Sequence, residues 1–92
     1  MLWEDYVKIR DTISTDRAVP PLFRLAEGTT LLTKLLQQGN RANLEGGSVS
    51  SSHDVIFVGG PRVAELTEEE ATRLSTLGFR IFEEEFGFQF ST

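Results

Sequence analysis

His53 and Asp54 are the residues of this chain best suited to acid–base chemistry, because they pair its single imidazole with an adjacent carboxylate. They precede the apolar run Val55–Val58, at the mouth of a predicted strand where sites of α/β proteins often lie. The nearest candidate nucleophiles are the serines at positions 50–52, but a flexible loop is a poor support for a nucleophile. We therefore expect no catalytic residues and no enzymatic activity. A hydrolytic enzyme or small-ligand binder using His53 and Asp54 is the alternative.

Two further motifs have ligand-binding counterparts. The run Glu83-Glu84-Glu85 offers carboxylate oxygens to a hard cation, but calcium loops space their ligands with glycine and other residues. The run is more typical of a solvated hairpin tip. The Gly-Gly-Pro turn at 59–61 resembles a phosphate loop, yet the next helix opens with three glutamates and lacks a Lys-Ser/Thr pair. With no cysteine in the chain, we expect no metal and no cofactor.

The net charge of −5 is concentrated in the C-terminal third of the chain. Residues 1–60 carry a net charge of −1 and residues 61–92 a net charge of −4. Such a field repels phosphate backbones, so direct nucleic-acid binding is unfavourable and a protein partner with a basic surface is favoured. The expected partner-binding residues lie on one helix and one hairpin tip: Glu68, Glu69, Glu83, Glu84 and Glu85.

The length of 92 residues predicts one domain over 1–92, with a flexible loop at 45–52 where glycine and serine predominate. We find no leader pattern and no apolar run of about 18 residues. The expected location is therefore the cytoplasm.

The opening segment, residues 3–14, fits two periodicities. Trp3, Tyr6 and Arg10 share a helical face, whereas Val7 and Ile9 share a strand face. The β-branched residues favour a strand, with a helix as the alternative.

The next two predicted elements are a strand and a helix. The Pro-Pro pair at 20–21 stops any helix, and the apolar residues at 22–25 suit a second strand that Gly28 ends. A threonine at 29–30 can cap a helix whose buried stripe is leucine-rich and which ends at Gly39.

The second half of the chain predicts a strand, a helix and a hairpin. Val55–Val58 has the pattern of a central strand covered on both faces. Thr67 and Glu70 have capping-box spacing, and Gly78 ends the helix. Residues 79–90 follow as a hairpin, whose return strand alternates three phenylalanines on one face: Phe86, Phe88 and Phe90. Together the elements predict an α+β fold, a mixed sheet of four or five strands covered by two helices in the order β-β-α-β-α-β-β.

Residues 23–32, Phe-Arg-Leu-Ala-Glu-Gly-Thr-Thr-Leu-Leu, resemble the strand-to-helix entry of β-grasp domains, including ferredoxins. The similarity extends over residues 7–38 and implies a strand followed by a leucine-rich helix. Because no cysteine follows to hold an iron–sulfur cluster, it implies local architecture alone.

Residues 53–61, 66–70 and 74–90 resemble small uncharacterised proteins of phages and other mobile elements. Those proteins share a His-Asp strand, a Thr/Ser-Glu-Glu-capped helix, a Leu-Gly-aromatic turn and an acidic aromatic hairpin. The resemblance implies a phage or mobile-element source, hence a host-cell cytoplasm.

The resulting hypothesis is a non-enzymatic protein-binding module whose acidic surface inhibits or modulates a host protein, as anti-CRISPR proteins do. A structural homo-oligomer is a further alternative. A homodimer would form through the last strand if that strand lies at a sheet edge, where its backbone groups are free to pair.

Overall fold

The computed structural model describes residues 1–38, 48–52, 54–81 and 87–91. They form an α+β fold, as the sequence predicts, but the predicted order of elements is wrong. The chain begins with two helices, and the strands follow in two antiparallel pairs. In chain order the elements are α1 (Trp3–Thr12), α2 (Pro21–Gln37), β1 (Val49–Ser52), β2 (Val55–Val58), a 3₁₀ turn (Val63–Glu65), α3 (Glu68–Leu77), β3 (Phe79–Arg80) and β4 (Phe88–Ser91).

The described strands form one four-stranded sheet in the order β1-β2-β4-β3. All three pairings are antiparallel, which corrects the predicted mixed sheet. The last strand, β4, lies between β2 and β3. Its hydrogen-bonding groups are therefore used within the sheet, so the predicted dimer edge at this strand is wrong.

The sheet has one apolar face packed against the helices and one partly exposed face. Cross-strand pairing places Ile56 and Val58 opposite Phe90 and Phe88, with Phe79 beside Phe90. The three phenylalanines are buried, with leucines of α2 and α3 in the same core cluster. The opposite face, which we call the open face, carries partly buried or exposed side chains: Val55, Phe57, Arg80, Gln89 and Ser91. The central strand β2 is therefore covered on one face, and not on both as predicted.

The opening segment is a helix, which corrects the preferred strand interpretation. Burial of Tyr6 decides between the two periodicities, because its ring stacks on Trp3 at a centroid distance of 5.4 Å and Arg10 lies over the Trp3 ring. The Tyr6 hydroxyl also accepts a hydrogen bond of 2.7 Å from the Ile81 backbone N–H. The helical stripe therefore joins α1 to the end of β3.

Residues 22–25 belong to α2, so the predicted second strand is wrong, as is the strand-to-helix entry implied by the β-grasp resemblance. Pro21 occupies the first turn of the helix, where its missing N–H costs nothing. Gly28 does not end an element but lies inside α2. A glycine is needed at this position because a Cβ there would overlap the Phe79 ring. The threonines expected to cap the helix instead donate to carbonyls within it, as Thr30 does to Ala26.

The elements after residue 66 match the sequence analysis. Thr67 caps α3, and Gly78 ends it with a φ of 94°. Strands β3 and β4 pair as the predicted hairpin.

The turn expected near residues 84–85, together with Phe86, lies outside the described residues. Of the stretch 45–52, predicted as a flexible loop, Val49–Ser52 form β1.

Arg24 is a buried charge that no feature of the sequence predicts. It is 2% exposed and donates through Nε to the Val19 carbonyl at 3.0 Å and through Nη1 to the Leu77 carbonyl at 3.3 Å. Its guanidinium also lies over the Phe90 ring, 5.5 Å from the centroid. Among the described residues, no carboxylate forms an ion pair with it. Arg24 therefore joins the linker before α2, the end of α3 and the sheet.

Replacing Tyr6 with phenylalanine should lower the free energy of unfolding by about 1–3 kcal/mol, because the Ile81 N–H would be buried without its acceptor. Burial raises the pKa of Tyr6 above its ordinary value of 10.0. The folded state thus favours the protonated phenol. The contribution of this phenol to the free energy of unfolding is full below about pH 10 and is lost as the pH rises through the folded-state pKa. Urea unfolding of both proteins at about pH 7 and about pH 11 should show the difference shrinking at the higher pH. A difference independent of pH would contradict this account.

Candidate protein-binding surface

The start of α3 is held in place by a complete capping box. The Glu70 N–H donates to the Thr67 hydroxyl at 3.2 Å, and the Thr67 N–H donates to the Glu70 carboxylate at 2.9 Å. Leu66 packs into the core immediately before the cap, as Ala71 and Leu74 do after it. The helix therefore begins at a fixed place, and the side chains of its first turn project from a rigid support.

Glu68 and Glu69, two of the predicted partner-binding residues, are exposed in this first turn. Neither forms an ion pair with another described residue. Their carboxylates lie at the positive end of the helix dipole, which stabilises them there. The nearby cation Arg73 is already paired with Glu27 of α2. The two carboxylates are thus available to a partner.

A groove between α1 and the start of α3 adds a third carboxylate to this surface. The groove has a volume of about 370 Å³, and Asp5 and Glu68 both line it, with Lys8 as its one cationic side chain. Met1 also lines it and carries a positively charged amino group, and the remaining lining is apolar or capping: Ile9, Leu66 and Thr67. We call Asp5, Glu68 and Glu69 the acidic end. Asp5 is not among the predicted partner-binding residues, because the groove forms only when the opening segment is a helix packed against α3.

A second, open depression of about 850 Å³ follows the outer side of α3. Glu68 and Glu69 lie at one end of it, and two threonines, Thr72 and Thr76, continue along it. A partner that contacts the acidic end could therefore extend along the helix as well as into the groove.

The main chain beside the groove is fixed by the amino group of Met1. This ammonium donates to the carbonyls of Val63, Ala64 and Leu66 at 3.3, 3.1 and 3.1 Å. These contacts connect α1 to the 3₁₀ turn that precedes α3. Both walls of the groove are therefore held in register.

The other predicted residues are not brought into this surface. Glu83, Glu84 and Glu85 lie outside the described residues, so their convergence with the acidic end stays a prediction. His53 also lies outside them, while Asp54 is exposed in the turn between β1 and β2. The three serines at 50–52 are exposed along β1.

No three potential metal-ligating side chains cluster within residues 1–38, 48–52, 54–81 and 87–91. In that same part of the chain, none of the helices has the length and apolar character needed to cross a membrane. Comparison with protein-family models, curated proteins and solved structures gives no significant match. The geometry of the chain's own residues is thus the basis for any functional assignment.

Replacing Thr67 with alanine should lower the free energy of unfolding by about 1 kcal/mol, because the first turn of α3 loses its cap. Thr33→Ala is the matched control, since Thr33 is exposed inside α2 and its hydroxyl donates to the Thr29 carbonyl. Alanine is the better helix former there, so the control should cost little. Chemical denaturation of the two variants checks this, and equal losses would argue against the capping role.

Proposed function

We propose that the chain is a non-enzymatic binding module that engages a protein partner with a basic surface through the acidic end. The observation that supports this is the pair of exposed carboxylates, Glu68 and Glu69, which have no cationic partner among the described residues. They project from a capped helix beside a groove that holds Asp5. A partner's lysines or arginines would neutralise carboxylates that the described part of the chain leaves unpaired.

Rigidity favours this use of the surface. The backbone that carries these side chains is already ordered before binding, which lowers the entropic cost of association. Charges at the rim of an interface mainly accelerate encounter and suppress partners of the wrong charge. The acidic end is therefore suited to selecting a cationic partner, while the apolar lining of the groove would supply contact area.

In the form we propose, the partner is a host protein whose basic groove normally holds nucleic acid. Carboxylates presented on a helix would occupy that groove in place of phosphates, so the chain would act as an inhibitor or modulator. The phage or mobile-element source implied by the sequence resemblance would make the partner a bacterial defence protein, as in anti-CRISPR inhibition. The interaction would then take place in the host cytoplasm.

Self-association is a second candidate, supported by the edge strand β1. All four residues of β1 are exposed, it carries no charge, and the side chain of Val49 is 71% exposed. The Gly59 N–H donates to the Ser48 carbonyl. Because hydrogen-bonded and non-hydrogen-bonded pairs alternate along an antiparallel ladder, the backbone N–H and C=O groups of Val49 and Ser51 point away from β2. A homodimer would therefore form through β1, and its mass would be visible by light scattering.

The proposal is tested by affinity capture from a bacterial lysate with the wild-type chain and the double variant Glu68→Lys, Glu69→Lys. Reversing two unpaired carboxylates places like charges against a basic partner, so recovery of that partner should fall at least about tenfold. A short DNA duplex should also release the partner if the acidic end occupies a nucleic-acid groove.

The matched control is Asp11→Lys, Asp54→Lys, which changes the net charge equally at exposed carboxylates outside the acidic end. It should retain the partner. Undiminished partner capture by the Glu68→Lys, Glu69→Lys variant, or an equal loss of capture in both variants, would refute binding through the acidic end.

A further inference from the structure

A second polar pocket lies where the linker between α1 and α2 meets β3 and β4. Its volume is about 440 Å³, which is within the size range of small-molecule sites. The described lining contains hydroxyls, an amide and two guanidiniums, and none of these described residues is a carboxylate: Ser14, Thr15, Arg17, Arg80, Gln89 and Ser91. In a chain of net charge −5, this is a local concentration of hydrogen-bond donors and positive charge.

The two guanidiniums of the pocket differ in how they are held. Arg80 donates to the Arg10 carbonyl at 3.3 Å and to the Ile13 carbonyl at 3.0 Å, which fixes it at the end of α1. These bonds involve two of its five N–H donors. Arg17 is exposed and forms no ion pair with any described residue. One wall of the pocket is thus rigid, and the other carries a cation that can close on a ligand.

Buried positive charge lies directly behind the pocket. Gly78 lines it, and a Cβ at that position would lie 2.8 Å from Nη1 of Arg24. Because Arg24 is buried, its charge is weakly screened by water and adds to the potential at the pocket. The glycine therefore makes room for this guanidinium immediately behind the pocket.

Two carboxylates on the described segment before Arg17, Asp11 and Asp16, have partners outside the pocket. The Asp16 carboxylate accepts a hydrogen bond from the Ala18 N–H at 3.1 Å, and Asp16 is not among the lining residues. The Asp11 carboxylate is paired with Arg10. Both charged side chains among the described lining residues, Arg17 and Arg80, are therefore cationic.

An apolar ledge adjoins the pocket on the open face of the sheet. Phe57 is paired across the sheet with Gln89, and Val55 with Ser91. Paired residues share a face at a Cβ separation of about 5 Å. Half-buried Phe57 thus lies beside a polar lining residue, where a ring attached to a bound anion would contact it.

We propose that this pocket binds the phosphate of a small phosphate monoester. Arg17 and Arg80 pair with the phosphate oxygens, the hydroxyls of Ser14 and Thr15 donate to them, and the organic part lies against Phe57. A nucleoside monophosphate uses both the polar pocket and the ledge. This site is separate from the acidic end and does not depend on its function.

The experiment is an NMR titration of the ¹⁵N-labelled chain with inorganic phosphate, ribose 5-phosphate, AMP and adenosine. The three phosphates should produce saturable shifts at the amides of Thr15, Gly78 and Gln89. AMP should in addition shift Phe57 and bind more tightly than phosphate alone. Adenosine should leave the pocket amides unchanged.

Arg17→Gln should weaken AMP binding at least about tenfold, because a charge-assisted contact to phosphate is lost. Arg62→Gln removes the same charge from another exposed position and should bind as the wild type does. Gln89→Glu, which adds a carboxylate to the pocket, should abolish binding.

Three results would overturn the site: equal affinities in the two arginine variants, adenosine binding as tightly as AMP, or no saturable shift with any phosphate. Binding of single-stranded RNA without binding of AMP would also overturn it, since the basic surface would then serve a polymer.

Discussion

The fold depends on satisfying one buried charge, the guanidinium of Arg24. Taking an ion out of water costs free energy unless polar partners compensate it, whereas burying an apolar group is favourable. Here the compensation comes from the Val19 carbonyl, from the Leu77 carbonyl at the negative end of α3, and from the Phe90 ring. These partners belong to the linker, to a helix and to the sheet. They must therefore come together in one arrangement, and α2 packs with its Gly28 against Phe79 in that arrangement.

Helix α3 then separates two regions of opposite charge. Its positive end carries the acidic end, where Glu68 and Glu69 follow the Thr67 cap. Its negative end lies at Gly78, with Arg24 behind it and the Arg17–Arg80 pocket around it. The two regions are about 15 Å apart along a helix of ten residues. The carboxylates at one end and the guanidiniums at the other are each opposite in sign to the adjacent end of the macrodipole, which stabilises these side chains. The charge offered to a ligand at each surface therefore comes from the side chains and not from the dipole.

The sequence predicts the parts of this structure that local chemistry determines. The capping box and the Gly78 stop define α3, and alternating phenylalanines define the hairpin, because each signal lies within a few residues. The predictions for the first half of the chain are wrong because the contacts that determine its structure join residues far apart in the sequence. The helical conformation at Tyr6 places its hydroxyl within hydrogen-bond distance of the Ile81 N–H, and Gly28 within α2 leaves space for the Phe79 ring. For the site, exposure of Glu68 and Glu69 follows from sequence, whereas the groove with Asp5 needs the α1–α3 packing.

The most direct test of this charge separation is a solvent paramagnetic relaxation measurement with cationic and anionic nitroxide probes of equal size. The account predicts that the cationic probe relaxes the amides of Glu68 and Glu69 more strongly, and that the anionic probe does so at Gly78 and Gln89. Preference for the cationic probe at all four amides would show a uniformly negative surface and would contradict the account.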